Sequence, residues 1–208
     1  MIRAVLVDLD GTLVDTHAVN LAAYRLALDE EGLPYDHATL ERTVGRLAWR
    51  LMLQSVLPGH PCVHERVAER KRRLYAGMAS QVRVNEALVE TLRLLRPRVS
   101  IALVTAASPG SVGPLLQAKG LDDLFSVVVT SADVEKQKPD PEPFQRAAQL
   151  LGVSADECVV FEDSDVGLAA ARAFGAQVWK VEWATRSKSG ASGQIGRASC
   201  RERVSSPV

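Results

Sequence analysis

Five short aliphatic runs constrain this 208-residue chain more than any other feature. They lie at residues 3–7, VSIALVT (99–105), FSVVVT (125–130), ECVVFED (157–163) and AQVWKV (176–181). Each is rich in Val or Ile and too uniformly apolar to leave one face in water, which is the pattern of strands covered by helices on both sides. Helical segments alternate with them: NEALVETLRLL (85–95), PGSVGPLLQAKG (109–120), PEPFQRAAQLLG (141–152) and VGLAAARAFG (166–175). Gly120, Gly152 and Gly175 close three of these, as helix ends favour. Such alternation implies right-handed crossovers and a parallel sheet. The expected core is a doubly wound, Rossmann-like α/β fold.

One region interrupts the alternation. From Thr16 to Met78 the sequence shows helical periodicity and no convincing strand, in segments 17–32, 37–57 and 63–78 separated by turn signals at Gly32–Pro34 and Pro58–Pro61. A block this large is a small helical domain rather than an irregular crossover. The expected organisation is a discontinuous core, 1–15 and 83–185, with a helical cap at 16–82 over the carboxyl end of the first strand. Residues 186–208 change character: they are rich in Ser, Gly and Arg and lack periodicity. IGRASCRERV within them resembles a translated sequencing adapter, so the expectation is a non-native or disordered tail after Thr185.

Zero formal net charge gives neither nucleic acid nor an anionic membrane an electrostatic reason to bind. The tail's basic residues have no aromatic side chain among them to stack on bases. Cys62, Cys158 and Cys200 are odd in number and widely spaced, which argues against a disulfide framework or a zinc site and suits a reducing compartment. No apolar run approaches the length of a membrane span, and MIRAVLVDLD enters the first strand without a leader pattern. The expectation is a cytoplasmic protein; a monomer or weak homodimer is expected as well.

Carboxylates beside a buried strand need partners, yet VLVDLDGTLVDT carries Asp8, Asp10 and Asp15. An Asx turn at Gly11 explains one aspartate and not three. In an open parallel sheet, ligands collect beyond the carboxyl ends of the strands. Asp8 and Asp10 follow the first strand there, with Gly11 free to turn the chain. Thr105 ends VSIALVT, where its hydroxyl and neighbouring backbone amides such as that of Ala106 can hold a phosphate oxygen. Lys136 and Lys138 precede a proline-opened helix, and Glu162 and Asp163 end ECVVFED. Singly, Thr105 reads as a strand-end hydroxyl, Lys138 as a surface lysine, and the acidic pair as helix-capping groups. Together they form a rim whose acids repel one another without a cation, and all-oxygen donors suit Mg²⁺.

DLDGTLVDT resembles motif one, Asp-x-Asp-Gly-Thr, of the haloacid dehalogenase-like hydrolase superfamily. Thr105 in LVTAAS is similar to motif two, Lys138 in QKPDP to motif three and FEDSDVGLAAARAFG to motif four. The likeness runs from residue 2 to about 181, and the block at 16–82 resembles the helical cap of the phosphoglycolate phosphatase and β-phosphoglucomutase branch. The resemblance implies a Mg²⁺-dependent phosphatase acting on a small phosphorylated metabolite. Asp8 would be the nucleophile and Asp10 the general acid and base; Lys138 would steady the transferring phosphoryl group. It implies a metal held by Asp8, the Asp10 backbone carbonyl and Asp163, with Glu162 adjacent. Substrate contacts would come from Gly11, Thr105 and Ala106 on the core and from Lys71 and Arg46 on the cap; Asp15 would fix the turn or hinge.

Two departures weigh against the mutase alternative: Asn20 stands where that branch often has histidine, and Gly45 is followed by Arg46, Leu47 and Ala48 rather than Gly-x-Ser-Arg. Lys71 also reads as one more solvated charge in ERKRR. Dehalogenation is disfavoured because Asp10 retains the acid that phosphate-ester chemistry uses. A phospho-acceptor signalling domain shares the ingredients, but its acceptor aspartate follows the third strand, and RLAWRLMLQSVL in that region holds no Asp. A truncated, inactive fragment is a further alternative. The four histidines show no metal spacing beyond His60 and His64, read as loop and helix-start residues, and Trp49 and Met52 read as core packing.

Overall fold

The computed structural model describes residues 1–182 except 46 and 48; Arg46 and the 186–208 tail therefore lie outside the described residues. Strand β1 (Ala4–Val7) leads through β2 (Val14–Asp15) to helices α1 (His17–Asp29), α2 (His37–Thr43), α3 (Trp49–Val56) and α4 (His64–Met78). The chain returns through β3 (Arg83–Val84), α5 (Glu86–Leu95), β4 (Ser100–Val104), α6 (Pro109–Lys119) and β5 (Val127–Val129). It finishes with α7 (Glu142–Leu151), β6 (Cys158–Glu162), α8 (Asp165–Phe174) and β7 (Gln177–Lys180). Five strands form one parallel sheet in the order β5-β4-β1-β6-β7, so the α/β fold read from the alternation is the fold observed.

Strand alternation divides β1 between two cores. Val5 and Val7 pack with Ile101, Leu103 and the faces of α5 and α6. Ala4 and Leu6 point the other way, into Ala102, Val104, Val160, Phe144 of α7 and Ala170 of α8. Both faces of β1 are covered, which is why its four residues are all apolar. Leu6 is fully buried, and truncating it to Ala would cost about 2–5 kcal/mol.

The four helices between β2 and β3 have a core of their own, including Tyr24, Leu28, Leu40, Met52, Leu53, Val56 and Val67. Val19, Ala23 and Tyr75 turn instead toward the cluster beneath the sheet, so the helical block sits against the α/β core. The chain enters and leaves the block through the antiparallel ribbon β2–β3, with Val14 opposite Val84 and Asp15 opposite Arg83. Asp15 and Arg83 are also ion-paired, consistent with a turn-fixing place for Asp15.

The segment 37–57, read as one helical stretch, is two helices. The chain leaves α2 at Val44, which is extended, and Gly45 adopts a φ of 76° that other residues resist. The break has a packing reason. At about 100° per residue, an unbroken helix would put Leu40 and Val44 nearly opposite Met52, Leu53, Val56 and Leu57, yet all six are buried in the same cluster. Among the described residues, no helix is long and apolar enough to cross a membrane.

Candidate active site

The carboxyl end of β1 meets those of β4 and β6. Asp8 continues the ladder, its amide donating to the Phe161 carbonyl at 3.0 Å. The next residues fold back: Leu13 and Val14 donate to the Leu9 carbonyl, and Gly11 donates to that of Val14. Gly11 takes a φ of 93°, and a Cβ there would run into the Asp163 carboxylate. Glycine at this position thus provides the turn and the space for an acid from β6's end.

Lys138 reaches the same point from the loop before α7. Its Nζ donates to Asp8 Oδ1 at 2.7 Å, to Glu162 Oε2 at 2.8 Å and to the Val104 carbonyl at 3.1 Å. Three acceptors match the three ammonium protons. Glu162, wholly buried, uses its other oxygen to accept from the Ser164 hydroxyl at 2.6 Å and the Ser164 amide at 3.2 Å. Gly167 backs it so closely that any side chain there would overlap its carboxylate. Asp163 accepts from the buried Thr12 hydroxyl at 3.0 Å. The Asn85 side-chain amide donates to the Thr12 carbonyl at 3.2 Å, tying this loop to the start of α5.

Asp10 points elsewhere. Thr16, at the entrance to α1, donates to Asp10 Oδ1, and Lys71 of α4 is close enough to stabilise its charge. The Lys71 ammonium lies 4.4 Å from the Tyr75 ring centre and 5.2 Å from that of Tyr24, a cation–π arrangement on both rings. Lys71 is therefore not a freely solvated member of ERKRR. Thr105 is buried one residue beyond Val104; its amide donates to the Val129 carbonyl and its hydroxyl oxygen accepts the Ala107 amide at 3.0 Å. Ala106 beside it is exposed.

The electrostatics follow from crowding. Burial raises the Asp8 carboxyl above its ordinary value; Lys138 opposes this, while Glu162 and Asp10 add to it. Burial likewise works against the Lys138 charge, but Asp8 and Glu162 together outweigh it and hold the ammonium above its usual range. Burial raises Asp163, and it raises Asp10 even though part of the Asp10 surface is exposed, since protein crowds it on several sides; Thr16 and Lys71 pull Asp10 back. Burial pushes Lys71 down to about 8, against the pull of Asp10.

One oxygen from each of Asp8, Glu162 and Asp163 lies within 4.8 Å of the others. Asp8 Oδ2 meets no donor among the described residues, although Asp8 is only 7% exposed. An orphaned buried carboxylate oxygen in an all-oxygen cluster fits a small hard cation. A hollow of about 600 Å³ lined by Glu30, Glu31, Arg66 and Arg70 lies away from these strand ends, on the helical block. Its charges pair with one another, Arg66 with Glu31 and Arg70 with Glu30.

The structure thus gathers Asp8, Lys138, Glu162 and Asp163, with Gly11 and Thr105 on the adjoining turns. Asp10 stands apart from this group, held by Thr16, with the Lys71 charge acting on it from α4. Thr12, Ser164 and Gly167 were not singled out in the sequence. Their signals were present, a Thr after Gly11 and a Ser and Gly flanking the helix start after Glu162 and Asp163, but what each touches is set by tertiary contact.

A parallel sheet with acids and a lysine converging at its strand ends defines an α/β protein with a charged site suited to a cation and an anionic ligand. The chain belongs to the haloacid dehalogenase-like hydrolases, whose family pattern its residues 2–175 match. It is 33% identical over 180 residues to validoxylamine A 7'-phosphate phosphatase of Streptomyces hygroscopicus subsp. limoneus, covering 84% of this chain and 83% of that protein. It is 32% identical over 174 residues to fructose-1-phosphate phosphatase of Escherichia coli, covering 81% and 90%. A solved structure of a putative β-phosphoglucomutase from Thermotoga maritima superposes with a TM-score of 0.71 at 27% identity, covering 90% of this chain and 89% of that one.

Proposed function

We propose that this chain is a Mg²⁺-dependent phosphatase that hydrolyses a small phosphorylated metabolite in the cytoplasm through an aspartyl-phosphate on Asp8. The observation that carries the reading is the buried Lys138–Asp8 contact of 2.7 Å, with Glu162 and Asp163 beside it at the strand ends. The named phosphatases among its relatives support the reaction class.

Asp8 attacks phosphorus in line; the bond from phosphorus to the alcohol oxygen breaks as the bond to Asp8 Oδ forms. Asp10, whose carboxyl burial raises above its ordinary value, gives its proton to the leaving oxygen when it is in its acid form. It then takes a proton from a water that attacks the acyl phosphate, which releases inorganic phosphate and frees Asp8. Lys138 neutralises the phosphoryl oxygens while Glu162 keeps its ammonium aimed, and Thr105 with the Ala106 amide orients a second oxygen. Asp8, Asp163 and the Asp10 carbonyl, with Glu162 adjacent, would hold Mg²⁺. When bound, the ion supplies positive charge that keeps Asp8 ionised and stabilises the phosphoryl group. The helical block acts as a cap, and Lys71 on α4 meets the non-reacting end of the substrate across from Asp10.

The test is release of inorganic phosphate from a panel of small phosphorylated metabolites, with Mg²⁺ and with EDTA. The reading expects release that depends on Mg²⁺. Equal rates in EDTA would remove the metal from it, and conversion of β-glucose 1-phosphate without release would move the assignment to a mutase.

A further inference from the structure

Lys138 stands in the loop between β5 and α7, on no helix or strand, so regular backbone geometry does not aim its side chain. The aim comes from α7. Glu142, the first residue of that helix, accepts two consecutive loop amides, Glu135 N at 2.7 Å on Oε1 and Lys136 N at 2.9 Å on Oε2. Asp140 Oδ1 accepts the Glu142 amide at 3.0 Å, and the Asp140 amide donates to the Gln137 carbonyl at 3.0 Å. The fully buried Phe144, also in the first turn of α7, places its ring centre 5.0 Å from Lys138 Nζ.

The start of α7 therefore holds the chain two residues before Lys138 and also lies under its ammonium. Both hydrogen bonds go to a carboxylate, which makes them stronger than neutral ones, and an acid in a first turn sits favourably at the positive end of the helix dipole. Starting the helix does not require this use of Glu142, because Asp140 already accepts the first helical amide. Both Glu142 oxygens are spent on the loop.

We infer that Glu142 is a positioning residue for Lys138, clamping the loop so that the ammonium meets Asp8 and Glu162 together. This rests on the phosphatase reading of the Asp8 centre and deepens it. The experiment is a double-mutant cycle of Glu142→Ala and Lys138→Ala, with Glu142→Gln as a milder variant. The readouts are p-nitrophenyl phosphate turnover with Mg²⁺, inorganic phosphate binding by calorimetry, and thermal unfolding.

Glu142→Ala is expected to lower kcat about 10- to 100-fold, the scale of a small misplacement of a reacting group, with KM changed less than about threefold. Glu142→Gln keeps one acceptor oxygen and should fall between; it carries the cycle if the Ala variant does not fold. In the Lys138→Ala background the Glu142 change should add less than about twofold to the loss of turnover or phosphate affinity, because it acts through the missing lysine. Equal losses in both backgrounds, or no loss in either, would overturn the inference. A wild-type chain that neither turns over nor binds phosphate would overturn the phosphatase reading and this inference with it; an active wild type with an unaffected Glu142 series overturns the inference alone.

Discussion

Lys138 Nζ and Asp8 Oδ1 are 2.7 Å apart although 130 residues separate them in the chain. Their side chains are only 8% and 10% exposed, so both charges have left water, and attraction alone does not offset that desolvation. The geometry supplies the rest: Glu162 and the Val104 carbonyl complete the acceptors around the ammonium. The arrangement fixes a positive charge beside a carboxylate with one free oxygen.

Removing the lysine exposes the cost of that burial. Lys138→Met is expected to destabilise the fold by about 3–5 kcal/mol in alkaline solution, since it leaves buried acids without their cation. The loss should shrink as pH falls. Burial raises the Asp8 pKa above its unfolded value even with Lys138 present, and more so without it. The folded state then binds more protons than the unfolded one, so its stability falls as pH rises from about 4, the ordinary carboxylate value, upward. Wild-type Asp8 is itself raised to about 8, so the extra loss on removing Lys138 opens above that pH, and urea midpoints at about pH 7 and about pH 9.5 check this. Equal destabilisation at both would contradict it.

Gly11 and Thr12 seat Asp163, one by giving it room and the other by a hydrogen bond. Gly11→Ala adds a clash and a strained positive φ, and Thr12→Val removes the donor while keeping the shape. Each is expected to raise the Mg²⁺ concentration for half-maximal activity by about 10- to 100-fold, the usual cost of losing a group that orients a metal ligand. A Mg²⁺ titration of activity decides; unchanged half-saturation in Thr12→Val would remove Asp163 from the metal site.

Lys71, pushed down to about 8 by burial, loses its charge across the mildly alkaline range. KM for a small phosphorylated substrate should rise as pH passes about 8, with kcat affected less. Lys71→Arg stays charged throughout and should flatten the rise. Steady-state kinetics from pH 6.5 to 9.5 test the pair, and identical KM profiles for wild type and Arg variant would take Lys71 out of substrate binding.

Most of the α/β core was legible because a strand covered on both faces must be apolar throughout. The runs at 3–7, 99–105, 125–130, 157–163 and 176–181 hold the five sheet strands, which end at Val7, Val104, Val129, Glu162 and Lys180. The strand-end residues Asp8, Glu162 and Asp163 were legible for a related reason, since charge directly after such a run is out of place without a partner; Lys138, in the loop before α7, was legible only from QKPDP ahead of a proline-opened helix. The break between α2 and α3 was readable only by tracking the apolar stripe through Gly45, where it jumps to the opposite side of an ideal helix. The ribbon β2–β3 has two residues per strand, too few for any periodicity to register. Ser164, Gly167 and Glu142 act through contacts 2 to 7 residues away in sequence, but what they support, Glu162 and Lys138, gains its meaning only in three dimensions.

Asp8 as the phosphoryl acceptor is the claim on which everything else depends, and it is tested most directly by trapping. The chain would be mixed with a turned-over phosphorylated substrate and Mg²⁺, quenched within milliseconds in acid and reduced with borohydride, which converts an aspartyl-phosphate to homoserine. Peptide mass spectrometry then locates the reduced residue. The account predicts homoserine at residue 8 in the wild type and none in Asp8→Asn, whose turnover falls to background while its fold persists. Reduction at another aspartate, or an Asp8→Asn protein that still turns over at the wild-type rate, would contradict it.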